Sequence, residues 1–296
     1  MIKTVTVRTI DELNRLAGKS TLHTLACVLD YPAFTLPEGY SCIQTDFYTV
    51  IFEKIATEDT HHGCKCCDFR ELSLTFHTPG KTLALKTDFP FVRIIAFHTD
   101  LFFGLKYGCW KPDHSFFQYA ENEALHISLR EKRTLWGLLD NLFRELDYGI
   151  DIYSRQLLAA HINLILDYCS RFYRRQFYLR TDLNKKLISR FDCWLDKYIL
   201  EELPEKRHLP VHDKMAGILG LSLPYFMDMM QIETGETLQE HIRIRLIEVA
   251  KQRVMNKDDS LGDIATELGF PSLQSFNYLF RKLTGYTPKE YRENLN

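Results

Sequence analysis

The chain contains nowhere the roughly 18 consecutive apolar residues of a membrane-crossing helix. Its opening Met1-Ile2-Lys3-Thr4-Val5 starts no signal-peptide hydrophobic region, so a cytoplasmic protein without membrane attachment is expected. Low-complexity tracts are absent, and 45% apolar with 26% charged residues is the composition of an ordinary globular chain, not a disordered one. No charge sign is in excess. The formal net charge is -2, and residues 204–296 carry 12 Lys and Arg against 13 Asp and Glu. Any phosphate contact must therefore come from a local basic patch and not from a bulk basic domain. A P-loop, a dinucleotide fingerprint and a nucleophile elbow are all missing. Neither an enzyme nor a cofactor is expected. The 8 cysteines are scattered through 296 residues, which is unlike a secreted disulfide scaffold, and they read as reduced thiols.

A chain of this length has room for about two domains at ~150 residues each. From Thr21 to Thr99 the pattern is short β-branched and aromatic runs, such as Phe47-Tyr48-Thr49-Val50-Ile51-Phe52 and Phe91-Val92-Arg93-Ile94-Ile95-Ala96-Phe97, separated by turn signals. That spacing predicts a small barrel or sandwich. Near Ser128 the period becomes helical: Leu135, Leu138, Leu139, Leu142 and Leu146 recur on one face, and Ser128 with Glu131 fits a capping box. A second apolar helix, with Leu157, Leu158, Ile162, Ile165 and Leu166, follows Gly149 and predicts an antiparallel pair. Arg171, Arg174, Arg175 and Arg180 interleave with aromatics, which reads either as a solvated helix face or as a phosphate contact or interdomain dock. A linker is expected over Glu201 to His212, where Pro204 and Pro210 sit among charges.

One segment occurs twice near the C-terminus. An apolar helix leads to Leu219-Gly220-Leu221-Ser222, and again to Leu268-Gly269-Phe270-Pro271-Ser272; each turn precedes an aromatic-rich helix that stops at Thr-Gly. Two helices joined by a glycine turn read as a helix-turn-helix, whose second helix enters the DNA major groove. Between the copies, Leu238, Ile242, Leu246, Ala250 and Val254 form an apolar stripe on one long helix. From Leu238 to Met255 it spans about 27 Å at 1.5 Å per residue, close to the ~34 Å between successive major grooves on one face of a duplex. The caps Thr237 with Glu240, Ser260 with Asp263, and Thr287-Pro288-Lys289-Glu290 mark helix starts.

With the repeated turn, Arg243-Ile244-Arg245-Leu246, the run Ile264-Ala265-Thr266-Glu267-Leu268-Gly269-Phe270 and the close Thr287-Pro288-Lys289-Glu290-Tyr291-Arg292, the stretch from Leu209 to Arg292 resembles the AraC-type DNA-binding domain of bacterial transcription regulators. The resemblance implies an α+β multidomain chain: a β-rich cupin-like barrel with a helical pair, then an all-α domain of two helix-turn-helix units joined by a long helix. It places a sensor domain over residues 1–125, a helical dimerisation segment over 126–200 and the DNA-binding domain over 205–296. It also implies sequence-specific duplex-DNA binding, a small-molecule effector or partner at the N-terminal domain, and a homodimer.

The expected DNA-contacting residues are Ser222, Tyr225, Arg243, Arg245, Ser272, Gln274, Ser275, Asn277, Tyr278, Arg281 and Lys282. Gln274 and Asn277 suit bidentate contact with adenine, and Arg281 and Lys282 suit the phosphate backbone. In the first recognition helix Asp228, Gln231 and Ile232 stand where the family usually carries basic residues, so the second unit is expected to dominate. Met227, Met229 and Met230 read as core filler or as readers, and Tyr225, Phe226, Phe276 and Phe280 chiefly as core.

The competing chemistry lies in His61-His62-Gly63-Cys64-Lys65-Cys66-Cys67. Thiolates and imidazoles this close are Zn or Cu(I) ligands, making His61, His62, Cys64, Cys66 and Cys67 metal-site candidates, although the spacing is not that of a standard zinc module. Two alternative functions stay open: a Cys/His metal or redox sensor, and a regulator homologue with degraded DNA contacts that acts through protein interaction. A metal-dependent cupin oxygenase would need a His-X-His set with a downstream Glu and a third His; His77, His98 and His114 are arranged otherwise.

Overall fold

A computed structural model describes residues 3–30, 34–54, 63–84, 91–105, 114–209, 212–256 and 258–294. The chain divides into two compact units, Met1–Arg180 and Thr181–Asn296.

The first unit runs β1 (Lys3–Val7), α1 (Ile10–Leu16), β2 (Ala26–Asp30), β3 (Tyr40–Thr45), β4 (Tyr48–Glu53), β5 (Leu72–His77), β6 (Thr82–Ala84), β7 (Phe91–Phe97) and β8 (Leu125–Ile127). It ends in two helices, α2 (Leu129–Asp147) and α3 (Ser154–Leu179). The strands form two open sheets, ordered β1-β3-β6 and β2-β7-β4-β5-β8. This corrects the cupin-like barrel expected from the resemblance. Among the described residues, strands β2 and β8 lie at opposite edges of the five-stranded sheet and do not pair, so neither sheet closes on itself.

The physical reason lies in burial on both faces of the larger sheet. One face, with Cys27, Leu29, Ile51, Ile94 and Ala96, shares a core with Val7, Ile10, Leu13, Ile43 and Leu83 from α1 and the smaller sheet. The opposite face is covered by helices: Phe52 meets Trp136 of α2 edge-on at 5.6 Å between ring centroids, and Phe76 meets Tyr173 of α3 at 5.9 Å. Closing the sheet into a barrel would strip one of these two apolar faces of its cover.

The α2 start matches the expected capping box: Glu131 N–H donates to Ser128 Oγ at 3.3 Å, and Ser128 N–H donates to Glu131 Oε2 at 2.8 Å. Leu135, Leu139, Leu142 and Leu146 are its buried stripe. Within the arginine run, Arg175 pairs with Glu131 at 2.8 Å, and Arg180 pairs with Asp68 at 2.5 Å, both inside this unit.

The second unit is all-helical: α4 (Thr181–Lys197), a π-helical turn Tyr198–Glu202, α5 (Leu203–Lys206), α6 (His212–Leu219), α7 (Leu223–Thr234), α8 (Leu238–Met255), α9 (Leu261–Glu267), α10 (Leu273–Thr284) and α11 (Pro288–Asn294). The expected linker from Glu201 thus carries helical turns. Helix α4 packs against α6, α7 and α8.

Candidate nucleic-acid interface

Each helix-turn-helix is built by short-range bonding. In the first, Gly220 takes the left-handed conformation (φ 69°) that L-residues avoid, and Ser222 Oγ accepts from Tyr225 N–H at 3.4 Å to start α7. In the second, Gly269 (φ 74°) plays the same part, and Ser272 and Ser275 cap α10 reciprocally at 3.1 and 3.2 Å. Both recognition helices stop at a left-handed glycine, Gly235 and Gly285. Phe226, Met229 and Met230 fill the first core, whereas Phe276, Phe280, Ile264 and Ala265 fill the second. Helix α8 buries Leu238, Ile242, Leu246, Ile247, Ala250 and Val254. That nearly continuous apolar stripe makes it the shared wall of both cores.

The fully buried Phe276 and Phe280 turn one face of α10 inward, so the opposite face is presented. Gln274, Tyr278 and Arg281 lie there at helical spacing with Lys282, all exposed, Tyr278 at 71%. Arg243, near the start of α8, is exposed as well. Glu240 links the two: Thr237 N–H holds its carboxyl below the usual range, and the nearby Lys282 and Arg243 charges lower it further. Arg243 and Lys282 thus sit in one electrostatic neighbourhood.

Other expected contacts lie elsewhere. Tyr225 is 3% exposed and belongs to the core. The Ser222, Ser272 and Ser275 hydroxyls serve the caps. Asn277 is half-buried, and its amide oxygen is buried without a hydrogen-bond donor. Arg245 donates through Nε and Nη2 to Asp196 of α4, the Nε–Oδ1 distance being 3.1 Å. On α7 the exposed positions are Met227, Gln231 and Thr234, with Asp228 half-buried; none is a cation. The three methionines divide two to the core and Met227 to the surface.

Sequence reasoning missed Asp192 and Asp196, which occupy His241 and Arg245 from 49 residues away. It also missed Asp68 and His126 as neighbours of Cys64: among the described residues these three form the group able to converge on a metal ion. His61 and His62 lie outside the described residues, and Cys66 and Cys67 are exposed and half-buried.

A family model described as a helix-turn-helix domain matches residues 215–294, the stretch holding α7 to α11. Regulatory protein SoxS of Escherichia coli K12 is 30% identical over 112 residues, which are 38% of this chain and 98% of that protein. The xylose operon regulatory protein of Escherichia coli K12 is 32% identical over 81 residues, 27% of this chain and 21% of that protein. Among solved structures, ToxT from Vibrio cholerae aligns over 91% of this chain and 98% of its own at 12% identity, with a TM-score of 0.30. Both of the Escherichia coli relatives are regulatory proteins. A 30% identity over 98% of a relative's length, together with a helix-turn-helix model that matches residues 215–294, makes the chain a member of the AraC-type family of transcription regulators, with a C-terminal unit that binds DNA.

Proposed function

We propose that the second helix-turn-helix dominates recognition of a specific duplex operator. Gln274 and Tyr278 approach base edges, while Arg281, Lys282 and Arg243 hold phosphates. The observation that carries this reading is the contrast between two equivalent helices: α10 presents an adjacent cation pair on its exposed face, and α7 presents none. Asn277 contributes only if its side chain turns outward from its present burial. Ser222, Ser272 and Ser275 act on DNA through the helix N-termini they cap.

The first unit supplies control. A cavity of about 210 Å³ lined by Asn14, Lys19, Cys27, Leu29, Asp30 and Phe143 supports a small-molecule effector site. The loop joining α2 to α3 exposes Tyr148, Ile150, Ile152 and Tyr153, each more than 60% exposed, which supports self-association into a homodimer. No described helix is long and apolar enough to cross a membrane; a regulator that meets DNA acts in the cytoplasm.

The test is a mobility-shift competition on genomic fragments, with the substitutions Arg281→Ala and Lys282→Ala set against Met227→Ala and Gln231→Ala. The first pair weakens the shift strongly on every fragment and the second pair leaves it nearly intact. Equal loss from both pairs, or no sequence preference in the unmodified protein, defeats the reading.

A further inference from the structure

We propose that Cys64, Asp68 and His126 form a zinc site in the first unit, a proposal independent of how the second unit meets DNA. The Cys64 Sγ, an Asp68 carboxylate oxygen and a His126 ring nitrogen all lie within 4.8 Å of one another. They come from separate parts of the chain: a turn, and strand β8 some 60 residues on, brought together by the pairing of β8 with β5.

The three donors are held in place by their surroundings. The Asp68 side chain is wholly buried; Arg180 Nε donates to its Oδ1 at 2.9 Å, while Arg180 Nη2 and Lys65 N–H donate to its Oδ2 at 2.5 and 2.7 Å. A carboxylate oxygen has two lone pairs, so Oδ2 is filled and one position remains on Oδ1 for a metal. Such orienting partners are characteristic of metal sites. Gly63 pins the turn: at φ 65° it brings the chain so close that an added Cβ would lie 1.8 Å from the Asn122 carbonyl oxygen. His126 is 0% exposed, and its backbone N–H donates to Gln176 Oε1 at 2.7 Å.

The donor chemistry selects the ion. A thiolate, an imidazole and a carboxylate together suit zinc, whereas calcium and magnesium take oxygen donors. Zn–S bonds near ~2.3 Å and Zn–N bonds near ~2.0 Å require the donors to close by about 1 Å from their present spread. On binding, the Cys64 S–H proton is released and the Zn–S bond forms, with no change of oxidation state. Arg180 offsets the Asp68 charge and the thiolate offsets half that of the ion, leaving the fourth position electropositive and open to water or an anionic ligand. Cys27 and Cys169 take no part: among the described residues the donor atoms that converge within 4.8 Å are those of Cys64, Asp68 and His126.

The experiment uses the full chain, stripped with chelator and titrated with Co²⁺ and then Zn²⁺. The expected result is one equivalent of Co²⁺ bound, a thiolate-to-cobalt charge-transfer absorption, and displacement of that absorption by Zn²⁺. Cys64→Ser, at a half-buried position that tolerates a hydroxyl, abolishes the absorption and weakens zinc binding beyond the ~100-fold that loss of an outer partner costs. Asp68→Asn weakens it too, and the Cys66→Ser/Cys67→Ser double variant retains the absorption, with circular dichroism verifying the fold of each. An unmodified protein without a charge-transfer absorption, one that survives Cys64→Ser, or one lost in the double variant overturns the site.

Discussion

Arg245 of α8 grips Asp196 of α4 through two nitrogens, while Arg243, two residues earlier on the same helix, stays exposed. Arginines that read alike in sequence therefore divide between fold and surface. Replacing Arg245 by Ala lowers the stability of the second unit by about 0.5–1 kcal/mol, a modest value because about a third of each partner is solvent-exposed. Arg243→Ala leaves stability unchanged and weakens DNA binding. Thermal melts and DNA titrations on both variants separate the roles; reversed effects would show that Arg245 leaves Asp196 for DNA.

His241 predicts a pH dependence. Its Nε2 lies 2.7 Å from Asp192 Oδ1 and its Nδ1 3.1 Å from Glu236 Oε2, and the bond to Asp192 is the main cause raising its pKa above 6.5. A raised folded-state pKa stabilises the protonated, folded form. The contribution is complete below pH 6.5, the unfolded value, and is lost as pH rises through the folded value. Melting of the unmodified protein should fall across that alkaline-going window, and His241→Gln should flatten the dependence. A curve of the same shape in the variant would reject the assignment.

Removal of the α10 cations should show in the salt dependence of binding. Each phosphate contact contributes about 0.9 to the slope of log K against log salt. The double variant Arg281→Ala/Lys282→Ala should lower that slope by about 2 and weaken binding across sequences. An unchanged slope places these side chains off the backbone.

Two glycines with nearly the same backbone separate strain from crowding. Gly63 has φ 65° and Gly220 φ 69°, but only Gly63 faces a backbone oxygen where a Cβ would go; nothing lies within 4 Å of the position at Gly220. Gly220→Ala should cost about 1–2 kcal/mol from the left-handed conformation alone. Gly63→Ala should cost more, since the Asn122 backbone must move. Denaturant titration checks this, and equal costs would mean that the turn at Gly63 yields freely.

Much of the second unit was legible because its signals are local. The caps at Thr237 and Glu240, and at Thr287 and Glu290, close within three residues. Ser260 also caps, but its hydroxyl accepts from Gly262 N–H and not from Asp263. In the first unit the strand runs were readable and their closure was not. Strands β4 and β5 are buried on both faces, so the alternation that would mark an inner and an outer side is missing.

The candidate interface shows the same division. Sequence alone set the repeated turns, the helix limits and the apolar stripe of α8, because each depends on backbone conformation, capping and periodicity within a few residues. Tertiary structure decided that the sheets stay open, that Arg245 is held and Arg243 exposed, and that Cys64 meets Asp68 and His126. Those outcomes depend on partners brought together from distant positions, and ion pairing and packing at such range leave no periodic mark in the chain.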